Sequence, residues 1–216
     1  MVRIYSCEGN IGAGKTTLIN HLEQISKVIE PKKILLLREP VDMWEKVCDD
    51  NGKNILKHFY ENPREHAFAF QVLAFSTRLA MIKDAVKQNP NCDVIICERS
   101  IYADGHIFAK MLYDDKMIEN IHYEIYKTMY ENAVRDFPLS GVIYLTIGPE
   151  DCAQRIKTRG RPGEENIPME YLEKCHKYHK IWLEDTTQPF HIKRLNIEEA
   201  NQFIESGNIT DLINIL

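Results

Sequence analysis

The most specific chemistry in the chain lies close to its start. Gly9, Asn10, Ile11, Gly12, Ala13, Gly14, Lys15 and Thr16 fit the pattern G-x-x-x-x-G-K-[ST], in which backbone N–H groups wrap a phosphate chain. Glycine lets the backbone pass close to an anion, and a following helix adds its positive end. Lys15 then supplies charge for the β- and γ-phosphates, and the Thr16 hydroxyl helps hold Mg2+. An apolar run over 2–7 precedes the loop and a helical pattern over 16–27 follows it, the context the motif requires. The loop predicts a bound nucleoside triphosphate and is silent about the acceptor.

Glu39 closes the apolar run 34–38, and Glu98 closes the run 93–97. Charged residues that end apolar strands stand on the rim of a sheet, where ligands bind. Phosphoryl transfer needs a metal ligand and a group that orients the attacking oxygen, roles that two carboxylates can divide. Arg99 follows Glu98 directly, placed to bridge the carboxylates or to touch the transferred phosphate. Residues 155–164 are the most basic stretch of the chain. Arg155 and Arg159 are four apart and share a helix face. Gly160, Pro162 and Gly163 then break that helix into a loop that also carries Arg161. Arginines on a closing lid neutralise transition-state charge and exclude the water that would hydrolyse ATP.

These residues need a frame. Five short apolar runs, over 2–7, 34–38, 93–97, 142–147 and 191–197, predict buried parallel strands. Between them, spacings of three and four predict helices over 16–27, 64–88, 120–135, 149–158 and 168–186. In the longest, Phe68, Val72, Phe75, Leu79, Ile82 and Val86 form one face. The alternation predicts a single α/β domain over 1–216, without linker or repeat. A hydrophobic content of 44% supports a sizeable core, and a net charge of −5 argues against a nucleic-acid or anionic-membrane partner. No apolar run approaches membrane-spanning length. Six cysteines form no C-x-x-C pair, which speaks against a zinc site and for reduced, mostly buried thiols. A strand that begins almost at Met1 leaves no room for a signal peptide, so the cytoplasm is the expected location.

The motifs 9–17, Glu39-Pro40-Val41 with Trp44, Glu98-Arg99-Ser100, and Arg159-Gly160-Arg161 leading to Ile167-Pro168 and Tyr171-Leu172-Glu173 resemble the deoxynucleoside kinase family. That group holds the deoxycytidine and deoxyguanosine kinases, and the resemblance covers roughly residues 3–183. It implies a P-loop kinase fold: a five-stranded parallel sheet flanked by helices, with an arginine-rich lid, usually as a homodimer. It implies transfer of the γ-phosphate of ATP to the 5′-hydroxyl of a deoxynucleoside, with Mg2+. Glu39 would orient that hydroxyl beside Arg99. Lys15, Thr16 and Glu98 would serve phosphate and Mg2+, with Thr17 beside them, and Arg155, Arg159 and Arg161 would reach the donor. Tyr60 and Glu164 match the pair that binds the sugar 3′-hydroxyl. Gln71 suits a base edge, and Trp44, Phe70 and Phe108 resemble the aromatic walls around the base. Arg78 and Asp104 match the charged pair of members that take deoxycytidine or purine deoxynucleosides, which thymidine-preferring animal members lack.

Two segments depart from the family pattern. Gly105 and His106 stand where related kinases commonly carry Arg then Tyr, which predicts a base pocket with one basic side chain fewer and more room for a purine. Residues 196–199 only loosely resemble the loop that holds the donor adenine. Two other readings remain open at this stage. A nucleoside monophosphate kinase of the thymidylate kinase kind shares loop, sheet and lid, but needs further basic residues near Glu39, where only Arg38 is a candidate. A GTPase-type switch needs an N/T-K-x-D loop, which the chain lacks.

Overall fold

In a computed structural model, which describes residues 2–26, 33–161, 164 and 167–206, the predicted strands form one parallel sheet of order β2-β3-β1-β4-β5. They are β1 (Arg3–Gly9), β2 (Ile34–Leu37), β3 (Val94–Glu98), β4 (Gly141–Leu145) and β5 (His191–Leu195). β1 lies at the centre, between β3 and β4. It runs two residues further than the apolar run suggests, because Glu8 and Gly9 continue the ladder opposite Tyr144 and Leu145. A charged residue is thereby carried into the middle of the sheet.

Side chains alternate across the sheet, as strand geometry requires. Tyr5, Cys7, Val94, Ile96, Ile143 and Leu145 pack on one face with Leu18, Ile19 and Leu22 of α1 (Lys15–Ser26). Ile4, Ile95, Cys97, Val142 and Tyr144 pack on the other with Phe75 and Ile82 of α4 (Pro63–Gln88) and with Trp182 and Leu183 of α9 (Met169–Leu183). α7 (Asn120–Asp136) and α8 (Pro149–Arg159) also match the expectation closely. α9 ends three residues sooner than expected, at Leu183, before the turn into β5.

Periodicity missed the short elements. These are α2 (Val41–Glu45), α3 (Ile55–Glu61), α5 (Ile101–Ala103), α6 (Lys110–Asp114) and α10 (Ile197–Ser206), with a π-helical turn over Asp104–Ala109 between α5 and α6. All but α10 are too short for a 3.6-residue period to stand out; α10, ten residues long, takes up Ile197, which was expected to close the last strand. Lys27 and the lid breakers Pro162 and Gly163 lie outside the described residues. The architecture is the α/β fold of a P-loop kinase, with β1 and β3 ending at one rim beside residues 9–16.

Candidate active site

Lys15 opens α1, and its ammonium lies inside the loop it belongs to. Nζ donates to the carbonyls of Asn10 at 2.8 Å and Gly9 at 3.1 Å. Burial, then the charge of Arg99, lowers its pKa to about 8. The loop is pinned from outside: the Asn10 amide donates to Leu172 O on α9 at 2.8 Å, and Arg155 Nη1 to Ala13 O at 3.2 Å. A Cβ on Gly12, at φ +79°, would stand 2.6 Å from the Cys152 carbonyl of α8. Only glycine allows that close approach. The Thr16 hydroxyl donates to the Glu98 carboxylate. Those are hard oxygen donors of the kind Mg2+ takes from protein, its other ligands coming from phosphate and water, so the pair fits the expected metal position.

Glu39 stands two residues beyond β2 and is clamped by two guanidinium groups. Arg78 Nη2 reaches its Oε1 at 3.1 Å and Arg99 Nε reaches the same oxygen at 3.3 Å. Burial alone would raise this carboxyl, but Arg78, Arg99 and Lys15 outweigh it and bring its pKa down to about 2. Arg78 also donates to Asp104 at 2.9 Å and to the Glu98 carbonyl at 3.3 Å. Burial opposes the charge on Arg78, yet Asp104 and Glu39 raise its pKa. Arg99 does bridge carboxylates, but its partners are Glu39 and Glu8 rather than Glu39 and Glu98. Its guanidinium lies 4.6 Å above the Phe108 ring, and Nη2 donates to Gly9 O at 3.1 Å. That carbonyl therefore accepts from both Lys15 and Arg99.

One cavity of about 680 Å³ joins these groups to the rest of the predicted set, a volume suited to small ligands. Ile11 to Thr17, Glu98, Arg155 and Arg159 line it with Glu39, Trp44, Tyr60, Phe70, Gln71, Arg78, Arg99, Asp104, Phe108, Arg161 and Glu164. Gly9 and Asn10 do not line it; they support it through the bonds above. Trp44 meets Phe70 edge-on at 5.5 Å, and its indole donates to Thr77 at 2.9 Å. Gln71 is buried with Oε1 lacking a hydrogen bond. Arg159 pairs with Glu164, and Arg161 does so at 3.2 Å. Burial, then the Glu164 charge, pushes the Tyr60 phenol up, and both residues line the cavity.

A profile of the family described as deoxynucleoside kinase matches residues 5–215. The chain belongs to the deoxynucleoside kinase family. It is 35% identical to human deoxycytidine kinase over 206 residues, which cover 84% of this chain and 75% of that one. It is 34% identical to a probable deoxycytidine kinase of fowlpox virus, covering 94% and 81%. With a mitochondrial deoxyguanosine kinase of Xenopus laevis it shares 28% identity, covering 86% and 75%.

One expectation about this family member needs correction. Gly105 does not widen the cavity. A Cβ there would meet the Tyr130 ring of α7 at 2.6 Å, so the missing side chain makes room for Tyr130. His106 likewise turns away, stacking on Trp182 at 5.2 Å. The pocket also has walls the sequence did not reveal: Leu56 and Phe59 of α3, and Tyr171 of α9. Phe59 stacks on Phe70 at 4.9 Å. Towards α1, Ile197, Ala200, Asn201 and Ile204 of α10 continue the lining, near the loosely matched residues 196–199. Arg38, the candidate for a phosphate on the acceptor, pairs with Glu23 at 2.6 Å on the exposed side. Among the described residues, no helix is long and apolar enough to cross a membrane, and all six cysteines are free thiols, four of them buried.

Proposed function

We propose that this chain transfers the γ-phosphate of ATP to the 5′-hydroxyl of a deoxynucleoside, favouring deoxycytidine or a purine deoxynucleoside. The observation that carries this reading is Glu39, held by Arg78 and Arg99 on the wall of the cavity that also receives Lys15. A carboxylate with a pKa near 2 is a feeble base but a strong hydrogen-bond acceptor. It orients the hydroxyl so that the oxygen lies in line with the γ-phosphorus. As the new O–P bond forms, the bond to ADP breaks, and the hydroxyl proton, acidified late in the step, passes to Glu39 and from it to solvent. Lys15, Arg155 and Arg159 stabilise the charge on the phosphoryl oxygens, and the lid arginines exclude water. Thr16 and Glu98 would hold Mg2+, which would supply charge neutralisation to the phosphates.

The base preference follows from Asp104 and Gln71. Burial raises the Asp104 pKa, while the adjoining Arg78 opposes that and favours its accepting, ionised form; the free Gln71 oxygen also seeks a donor. Cytosine and adenine carry an exocyclic amine at the edge where thymine carries a carbonyl; guanine has a carbonyl there too, but offers its N1–H and 2-amino group as donors instead. A nucleoside is favoured over a monophosphate because both arginines beside Glu39 are engaged by carboxylates while Arg38 points outward. A homodimer is part of this reading, supported by the exposed apolar pair Ile121 and Ile125 on α7; sedimentation velocity tests it.

The decisive experiment supplies each deoxynucleoside and each monophosphate separately with ATP. Deoxycytidine or a purine deoxynucleoside should be phosphorylated with the highest kcat/KM. Exclusive use of monophosphates would overturn the acceptor, and ATP hydrolysis without any acceptor would favour a switch.

A further inference from the structure

We infer that Glu8 is a positioning residue that holds Arg99 in place from behind the phosphate loop. The inference rests on the reading of Arg99 as a group beside the acceptor oxygen.

Glu8 is wholly buried in the central strand. A carboxylate removed from water costs several kcal/mol unless it is paired and hydrogen-bonded. Its oxygens face two consecutive residues, Ser100 and Arg99. Oε1 accepts from the Ser100 backbone N–H at 2.9 Å and from the Ser100 hydroxyl at 2.6 Å. Oε2 faces Arg99 Nη1 at 3.9 Å, and neither atom has a hydrogen bond within the structure. Glu8 therefore holds Arg99 at both ends: the amide that follows it in the chain, and its guanidinium.

Arg99 needs that grip. Its backbone has φ +66°, a conformation that costs a residue with a Cβ about 1–3 kcal/mol and persists only when its surroundings enforce it. The Arg99 N–H donates to Cys7 O at 3.0 Å, and the Glu8 oxygen fixes the next peptide. Between those anchors the side chain is turned toward Gly9 O and Glu39 instead of away from the rim. Ser100 alone would satisfy Oε1. The second oxygen, directed at a guanidinium that touches Glu39, is what a purely structural carboxylate would not need.

Glu8→Gln in the full chain separates positioning from stability. Gln keeps an oxygen for Ser100 but turns an amide N–H2 toward Nη1, so two donors face each other. With ATP and the preferred deoxynucleoside, kcat should fall about 10- to 100-fold while ATP affinity stays within about twofold. Added to Arg99→Lys, the same change should cost little more, because the group it positions is already lost. An unchanged kcat, with or without a lower Tm, would overturn the inference, as would full additivity with Arg99→Lys. If Glu8→Gln does not fold, Ser100→Ala decides. It keeps the charge, loosens Oε1, and should lower kcat about three- to tenfold at unchanged ATP affinity; no loss of kcat would refute the role. Wild-type protein inactive on every deoxynucleoside would overturn the acceptor assignment itself, and this inference with it.

Discussion

At the scale of single residues, charge in a confined space decides behaviour. Glu39 has a folded-state pKa of about 2 against an ordinary 4.5. Its stabilising contribution is therefore complete above pH 4.5 and disappears as the pH falls toward 2, an effect of about 3 kcal/mol at most. Urea titrations between pH 5 and 3 should show a shallower loss of stability in Glu39→Gln than in the wild type; equal slopes would contradict the clamp. The same substitution should lower kcat about 10²-fold or more with ATP affinity unchanged. The Lys15 pKa is also lowered, from 10.5 to about 8, but for a cation the effect on stability has the opposite sign. Below pH 8 the buried ammonium opposes folding, and that cost is relieved as the pH rises through 8 toward 10.5. A triphosphate restores the charge, so binding above pH 8 must take up a proton, and affinity should fall by up to about tenfold per pH unit. Calorimetry at pH 8.5 in buffers of different ionisation enthalpy measures that uptake; its absence would remove Lys15 from the phosphate site.

At the scale of elements, α4 shows how one helix serves two surfaces. Phe75 and Ile82 enter the main core, while Phe70, Gln71, Ala74 and Arg78 face the cavity. Apolar spacing exposed the first face and could not show the second, because that face mixes charge, amide and aromatic groups. Arg78 therefore has two jobs, holding Glu39 and pairing with Asp104. Replacing Arg78 by Met together with Asp104 by Ala should raise thymidine relative to deoxycytidine in kcat/KM, while kcat falls for both. Unchanged ratios would refute the base assignment. Close contacts between elements give two more tests. Gly12→Ala forces a Cβ against α8 at a left-handed φ and should cost about 2 kcal/mol or more together with loss of ATP binding. Gly105→Ala strikes Tyr130 and should cost about 1–3 kcal/mol without altering base preference, which steady-state kinetics on the four deoxynucleosides will check.

For the whole molecule, the two faces of a single sheet carry the two largest apolar clusters, so neither can open without exposing the other. Residues 1–216 should accordingly unfold in one calorimetric transition whose midpoint rises with ATP. Two resolved transitions would mean two domains.

The sequence by itself determined the strands, the long helices, the phosphate loop and the carboxylates at the ends of β2 and β3. Those are local properties, written in apolar period and in a fixed spacing within one segment. Only the tertiary structure decided that Glu8 meets Ser100 across 92 positions, that Arg99 spans Glu8 and Glu39, that Phe59 and Tyr171 complete the pocket, and that Gly105 answers to Tyr130. Periodicity reports which way a side chain turns relative to its own element. Which partner it then meets depends on how distant elements pack, and no single segment encodes that.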